Sequence, residues 1–194
     1  MELLRFTKAP DVDRDRFMRT QAFNFLIGGT DAHAKNYAII YEPGGAFRLA
    51  PLYDLISFLP YQQRRSQLKL AMTIGGRRAV DEIRWRHWEH AAERCGYPAA
   101  RIVAHVKELT AKLPDLAAAV RTAARKAGLR HPVLDHLVDQ IAVNAILDPV
   151  GRIGRVILQK MDIRCAQLQS LGQHVALELV EQKAVVDVVK PCRQ

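Results

Sequence analysis

Two short apolar stretches flank a proline–glycine turn near the start of the chain, and together they predict a β-hairpin. The first stretch covers residues 37–41, the turn covers 42–45, and the second stretch covers 46–50. Pro-Gly-Gly is a strong turn signal, and Pro51 stops the second stretch. Both faces of residues 37–41 are apolar, which predicts a buried strand. Because adjacent antiparallel strands bring their outer ends together, the polar residues just outside the hairpin are expected to meet.

Those polar residues are Asp31 and Asn36 before the hairpin and Asp54 after it. The order acid, four residues, asparagine, hairpin, acid is that of a protein-kinase catalytic loop followed by its metal-binding acid. Phosphoryl transfer needs a carboxylate at the attacking hydroxyl and oxygen ligands that hold Mg²⁺ against the phosphates. Asp31 would orient or deprotonate the hydroxyl, and Lys35 would neutralise negative charge on the phosphoryl group that is transferred. Asn36 and Asp54 would bind Mg²⁺.

Several of these residues also have a structural interpretation. The Thr-Asp pair after Gly28-Gly29 could simply cap a helix or form a turn. His33 could face nucleotide phosphate or hydrogen-bond the loop. Tyr53 could stack near the nucleotide, although a packed core position is the default for tyrosine. The Pro-x-Tyr-Asp motif ending at Asp54 favours the kinase interpretation over a turn alone.

Helices are predicted on both sides of the hairpin. Acids at residues 11–15 and an apolar stripe that follows predict one helix, which ends at Gly28-Gly29. Residues 68–74 predict a strand. The remaining helices are predicted to begin at or after Asp81, Pro98, Pro114 and Pro132. The predicted fold class is therefore mainly α with a short β-hairpin, and Asp148-Pro149-Val150-Gly151 marks a boundary.

Composition argues against several other classes of protein. The chain has 194 residues and a formal net charge of +9, but its Lys and Arg residues are dispersed, so direct nucleic-acid binding rests on charge alone and is not expected. Three distant cysteines without Cys-x-x-Cys indicate a reduced cytoplasmic protein. No apolar run is long enough for a membrane span. His87 and His90, with Glu89 beside them, suggest a metal site but have no evident third ligand.

Two segments resemble a known family. Residues 25–37, Phe-Leu-Ile-Gly-Gly-Thr-Asp-Ala-His-Ala-Lys-Asn-Tyr, and residues 49–57, Leu-Ala-Pro-Leu-Tyr-Asp-Leu-Ile-Ser, look like the C-terminal domain of HipA-type kinase toxins. Residues 68–72 and the helices after Asp81 extend the resemblance. It covers residues 1–147, which we assign to a kinase-like C-lobe, and it leaves residues 148–194 as a divergent tail of unknown role.

This resemblance implies a serine/threonine protein kinase that uses ATP and Mg²⁺. It also implies the toxin of a bacterial type II toxin–antitoxin pair, with a role in persistence and a cytoplasmic location. The implied partners are a helix-turn-helix antitoxin of the HipB kind and a protein substrate such as an aminoacyl-tRNA synthetase. By motif position the catalytic acid is Asp31. The implied nucleotide or Mg²⁺ contacts are His33, Ala34, Lys35, Asn36, Tyr53 and Asp54.

A whole family member has an N-terminal half with a glycine-rich phosphate loop and a lysine that pairs with ATP, whereas only thirty residues precede Asp31 here. The expectation is a truncated kinase that is active only if another polypeptide supplies the N-lobe. The alternative is a catalytically inactive remnant that binds an antitoxin or toxin partner. A missing lobe would weaken nucleotide binding and leave an apolar surface exposed.

Overall fold

The computed structural model describes residues 1–61 and 67–146. In chain order its elements are α1 (Pro10–Ile27), β1 (Ile39–Tyr41), β2 (Phe47–Leu49), β3 (Lys69–Ile74), β4 (Arg77–Ala79), α2 (Trp85–Arg94), α3 (Ala99–Lys126) and α4 (Pro132–Ile146). The strands form two separate antiparallel hairpins, β1–β2 and β3–β4. The predicted mainly helical fold class is confirmed, and the second hairpin adds to it. The predicted boundary at residues 148–151 and the tail beyond it lie outside the described residues.

Helix α1 has the termini that its sequence predicts. Pro10 begins it, where the missing N–H costs no hydrogen bond, and Asp11 and Asp13 lie in the first turn. Gly28 follows its last residue at φ 63°, a left-handed conformation that glycine adopts without a steric penalty. The predicted apolar stripe is largely buried: Met18, Ala22, Phe23, Phe25 and Leu26. α1 therefore supplies one wall of the core.

The core lies between α1, the long helix α3 and the helices on either side of α3. Helix α3 contacts α1, α2 and α4. Its buried residues recur at helical spacing: Ile102, Val106, Leu109, Leu113 and Ala117. Trp88 of α2 is fully buried and meets the edge of Phe25, with ring centroids 5.5 Å apart. These contacts fix the end of α1, from which the site described below is built.

The prediction that Pro114 begins a separate helix is wrong, because Pro114 lies inside α3. A proline inside a helix has no N–H to donate and usually ends or kinks the helix. Leu113 and Ala117, on either side of it, are both buried in the core. Packing of this face offsets the missing hydrogen bond, and such packing cannot be read from local sequence.

The prediction that β1 is buried is also wrong. Ile39 and Ile40 are half-buried, and Tyr41 is 73% exposed. Tyr41 packs on Phe47, its partner across the hairpin, with ring centroids 5.9 Å apart. The apolar residues of this strand therefore cover each other at the surface, as cross-strand pairs do.

The second hairpin turns at Gly75-Gly76 and rests on the first turn of α2. A Cβ atom at Gly75 would lie 2.3 Å from the carbonyl oxygen of His87, so only glycine allows this approach.

His87 is buried, and its Nδ1 accepts the N–H of Arg84 at 2.9 Å, whereas His90 is exposed. Burial, together with nearby arginines, lowers the pKa of His87. Among the described residues, no three His, Cys, Asp or Glu side chains could share a metal ion.

None of the described helices is both long and apolar enough to cross a membrane.

Candidate active site

The register of the first hairpin places the polar residues on its two flanks side by side. Ile39 pairs with Leu49, and the N–H of Ala50 continues the ladder to the carbonyl oxygen of Ala38 at 2.9 Å. The chain therefore enters and leaves the hairpin at its open end, opposite the turn. At that end, Nδ2 of Asn36 donates a hydrogen bond to Oδ2 of Asp54 at 2.7 Å.

Asn36 is the centre of the loop that leads into this hairpin. It is buried, and its Nδ2 also lies 3.3 Å from the backbone oxygen of Asp31. The loop is tight, because the N–H of His33 donates to the Asp31 oxygen at 2.7 Å and the N–H of Asn36 donates to the His33 oxygen at 3.0 Å. The side chains of Asp31 and Lys35 are exposed, which leaves them accessible to a substrate.

Asp54 holds its position in an uncommon backbone conformation. Its φ is 57°, and no other non-glycine residue in the described ranges has a positive φ. The left-handed region costs an ordinary residue about 1–2 kcal/mol, although Asp and Asn tolerate it best. Such strain persists where the surrounding structure imposes it, and it is common at functional sites.

Two hydrogen bonds fasten the chain after Asp54 to the end of α1. Oγ of Ser57 donates to the carbonyl oxygen of Ile27 at 2.6 Å, and the N–H of Phe58 donates to that of Gly28 at 3.1 Å. The last carbonyls of a helix have no partner within the helix, so they are available to such groups. Asn144 of α4 donates likewise to the Leu26 oxygen at 2.9 Å.

The loop of residues 28–37, which we call the site loop, is fastened to the same helix. The N–H of Gly29 donates to the backbone oxygen of Asn24 at 2.7 Å. At the other end of the loop, the hydroxyl of Tyr37 accepts hydrogen bonds from Gln21 at 2.7 Å and Asn24 at 3.2 Å. Burial raises the pKa of Tyr37 to about 12. The end of α1 thus carries both parts of the site.

Sequence reasoning missed the side chains that support the site. Asn24 and Ser57 are nearly fully buried although each lies within an apolar run, residues 22–27 and 55–59. A polar residue inside an apolar run was the available signal, because buried polar groups need hydrogen-bond partners. The identity of those partners could not be read from the sequence.

Comparison with known proteins relates this chain to a family. The HipA-like C-terminal domain family matches residues 1–117. The chain belongs to this family. The predicted recognition is confirmed, and the site loop of this HipA-like domain lies inside the matched region.

Two relatives that are named as kinases agree with this assignment. "Putative kinase Y4mE" of Sinorhizobium fredii is 30% identical over 147 residues, which is 75% of this chain and 34% of that protein. "Serine/threonine-protein kinase toxin HipA" of Shewanella oneidensis is 35% identical over 63 residues, which is 32% of this chain and 14% of that toxin. The chain thus spans about a third, or less, of these relatives.

A chain in the solved complex of the Shewanella oneidensis toxin–antitoxin system HipA, HipB and its operator DNA has the same fold. The TM-score is 0.61 at 20% identity, over 74% of this chain and 33% of that one. The HipA-like fold is therefore shown by structure as well as by sequence.

The structure bears on the structural interpretations of two predicted contacts, Tyr53 and His33. Tyr53 is 41% exposed, and its hydroxyl donates to the backbone oxygen of Lys35 at 2.9 Å, so it is not a core residue. Its stacking near a nucleotide stays a prediction. Nδ1 of His33 is buried and has no hydrogen-bond partner among the described residues, so this atom does not brace the loop.

Asn36 and Asp54 offer ligands that suit Mg²⁺. One is an amide and the other a carboxylate, and both carry the hard oxygen atoms that this ion prefers. Mg²⁺ in kinases is held by one or two such side chains together with phosphate oxygens, so two protein ligands are enough. The hydrogen bond of 2.7 Å from Nδ2 of Asn36 to Oδ2 of Asp54 places the amide group beside the carboxylate, so that Oδ1 of the same amide could turn to an ion held by Asp54. The residues present therefore fit the cofactor that the family implies.

Proposed function

We propose that this chain forms the part of a HipA-like serine/threonine protein kinase that binds Mg²⁺ and the phosphates, and that the kinase transfers the γ-phosphoryl group of ATP to a protein hydroxyl. The contact of 2.7 Å between Asn36 and Asp54, beside the loop of Asp31, carries this proposal. The family match over residues 1–117 supports it. The proposed organisation keeps residues 1–147 as the kinase C-lobe and residues 148–194 as a divergent tail of unknown role.

Each side chain has a defined task in this proposal. Asp31 accepts a hydrogen bond from the substrate hydroxyl and aligns its oxygen with the γ-phosphorus, as the acid of a kinase catalytic loop does. Asn36 and Asp54 hold Mg²⁺, which when bound neutralises charge on the phosphate oxygens. Lys35 adds a positive charge at the exposed surface of the loop. His33, Ala34 and Tyr53 line the side of the site that faces the nucleotide.

The remaining parts of the kinase come from outside this sequence. Because the chain spans 34% of one kinase-named relative, the glycine-rich loop and the ATP-pairing lysine of the family are supplied by another region of polypeptide, on the same chain or a separate one. The proposed partners are a helix-turn-helix antitoxin of the HipB kind and a protein substrate such as an aminoacyl-tRNA synthetase. The HipA–HipB–DNA complex of the structural relative supports the first of these.

Binding of ATP to the purified chain tests the proposal. We expect weak binding that requires Mg²⁺, and we expect Asp54→Asn to abolish the Mg²⁺ dependence, because it removes the ligand charge and keeps the side-chain shape. Titration calorimetry with and without Mg²⁺ measures both effects. Asp115→Asn is the matched control, since Asp115 is exposed on α3.

Two results would overturn this function. One is ATP binding by the wild-type chain that is absent or independent of Mg²⁺. The other is Mg²⁺-dependent binding by Asp54→Asn that equals the wild type. If the chain binds but a preparation with a family N-lobe phosphorylates protein equally well after Asp31→Asn, the role of Asp31 is wrong.

A catalytically inactive binding module is the second candidate, and exposed apolar side chains favour it. Around the start of α1 and the first hairpin, the large apolar residues more than half exposed are Leu3, Phe6, Val12 and Tyr41. Surface of this kind often marks a protein contact. This candidate predicts a stable complex with an antitoxin or toxin partner and no phosphoryl transfer with any N-lobe. Measuring both properties on one preparation separates the two candidates.

A further inference from the structure

We propose that Gln21, Asn24 and Tyr37 form a latch that holds the site loop closed against α1 and so positions Asn36. All three are positioning residues, since they act through the loop and not on a substrate. The proposal rests on the proposed function only in the consequence for Mg²⁺, because the latch itself is a property of the loop.

The latch joins the end of the site loop to one face of α1. Tyr37 directly follows Asn36, and its hydroxyl accepts hydrogen bonds from Nε2 of Gln21 at 2.7 Å and Nδ2 of Asn24 at 3.2 Å. Its ring packs on Phe17, with centroids 4.9 Å apart. Residues 17, 21 and 24 recur at helical spacing, so one face of α1 holds both the ring and the hydroxyl.

Burial strengthens the latch. Asn24 is 3% exposed, and a polar group in that setting gains more from a hydrogen bond than it would in water. Tyr37 is half-buried, and its hydroxyl oxygen accepts both hydrogen bonds beside the buried Asn24.

The second glycine of Gly28-Gly29 makes room for this arrangement. A Cβ atom at Gly29 would lie 2.9 Å from Oδ1 of Asn24 and 3.3 Å from its Cα. Gly29, unlike Gly28, has no left-handed φ, so the space beside Asn24 is the reason for a glycine here. Oδ1 of Asn24 is buried and has no partner in the described part of the chain, so the hydrogen bond to Tyr37 orients this amide.

Asn24 closes the loop at both ends. Its backbone oxygen accepts the N–H of Gly29, and its side chain donates to Tyr37. Without the Tyr37 hydroxyl the loop keeps its first attachment and loses its second. Asn36 then samples more positions relative to Asp54, and a metal site that must be ordered on binding has lower affinity.

Tyr37→Phe tests the latch, and Tyr97→Phe is its control. Tyr97 is buried, and its hydroxyl donates a hydrogen bond to Asp15, which lies on another part of α1 and is remote in sequence from the site loop. Both variants lose one hydroxyl and keep their ring. We expect amide hydrogen exchange over residues 28–37 to accelerate in Tyr37→Phe alone, and its affinity for Mg²⁺-ATP to fall by about fivefold.

Gly29→Ala gives a second probe, because its methyl group displaces the Asn24 amide and leaves the Tyr37 hydroxyl in place. The same faster exchange is expected there. Unchanged exchange in Tyr37→Phe, or faster exchange with undiminished Mg²⁺-ATP affinity, would overturn the positioning role and leave the proposed function standing. Faster exchange in a protein whose wild type binds no Mg²⁺-ATP would keep the latch and remove the proposed function.

Discussion

The buried carboxylate of Asp13 accepts a hydrogen bond from the backbone N–H of Leu49 at 3.1 Å, which fastens the first hairpin to the start of α1. The end of the same helix holds the site loop and the segment after Asp54, through the oxygens of Asn24 and Ile27. α1 is therefore the platform on which the hairpin and its flanking polar residues are mounted. Motion of this helix relative to the hairpin would separate the groups that the site requires.

Replacing Asp13 tests this attachment. Asp13→Ala leaves the Leu49 N–H without its partner in a buried place, which lowers the free energy of unfolding by about 1–3 kcal/mol. Asp11→Ala is the control, because Asp11 is exposed in the same first turn and loses only its interaction with the helix dipole, about 0.3–1 kcal/mol. Urea denaturation measures both. Equal losses would show that the Leu49 contact adds no stability.

The left-handed backbone of Asp54 predicts a difference between two substitutions. Asn tolerates φ 57° about as well as Asp, so Asp54→Asn should change stability by about 0.5 kcal/mol or less. Asp54→Ala should cost about 1–2 kcal/mol, since alanine lacks that tolerance and removes the carboxylate that accepts the shorter hydrogen bond of Asn36. Thermal unfolding of the two variants gives the comparison. An alanine variant as stable as the asparagine variant would contradict the strain at this residue.

The close approach of the second hairpin to α2 predicts that alanine destabilises the fold strongly at one glycine and less at its neighbour. Gly75 and Gly76 both have positive φ, 55° and 82°, but only Gly75 faces backbone, since a Cβ atom there would lie 2.3 Å from the His87 oxygen. Gly76→Ala should cost about 1–2 kcal/mol through φ strain alone. Gly75→Ala should cost more, about 3 kcal/mol or above, because the turn must move off the helix. Similar unfolding midpoints for the two variants would refute the contact.

The contacts of Asp15 predict that the stability of the fold depends on pH in the acid range. Burial alone would raise the pKa of Asp15, but hydrogen bonds from Tyr97 and His105 and the charges of His105 and Arg101 outweigh it and lower the pKa. A carboxyl whose pKa is lower in the folded state stabilises the fold above its unfolded pKa of about 3.9 and loses that contribution as pH falls through the lower folded value.

Asp15→Asn should therefore reduce the loss of stability below about pH 4, while Asp115→Asn should leave the wild-type slope. Urea unfolding midpoints recorded at several pH values from about 3 to about 6 measure this slope. A slope unchanged by Asp15→Asn would show that the Tyr97 and His105 contacts do not favour the ionised carboxyl.

Local patterns in the sequence were sufficient for the elements near the site. The Pro-Gly-Gly turn predicted the first hairpin, and Gly28 predicted the end of α1, because turns and caps depend on the φ preferences of a few residues. The prediction that a helix begins at Pro114 was wrong for the complementary reason. The local preference of proline favours a helix start, and only the burial of Leu113 and Ala117 against other helices shows why α3 continues.

The sequence by itself determined the order of the chemical groups, which acid and which amide flank the hairpin, and the family to which they belong. Tertiary structure alone decided what holds them: Tyr37 against Gln21 and Asn24, Ser57 on the end of α1, and Asp13 on Leu49. The physical reason is that hydrogen-bonding partners far apart in sequence are selected by packing. Residue type shows that a buried polar group needs a partner, and only the folded chain shows which one it finds.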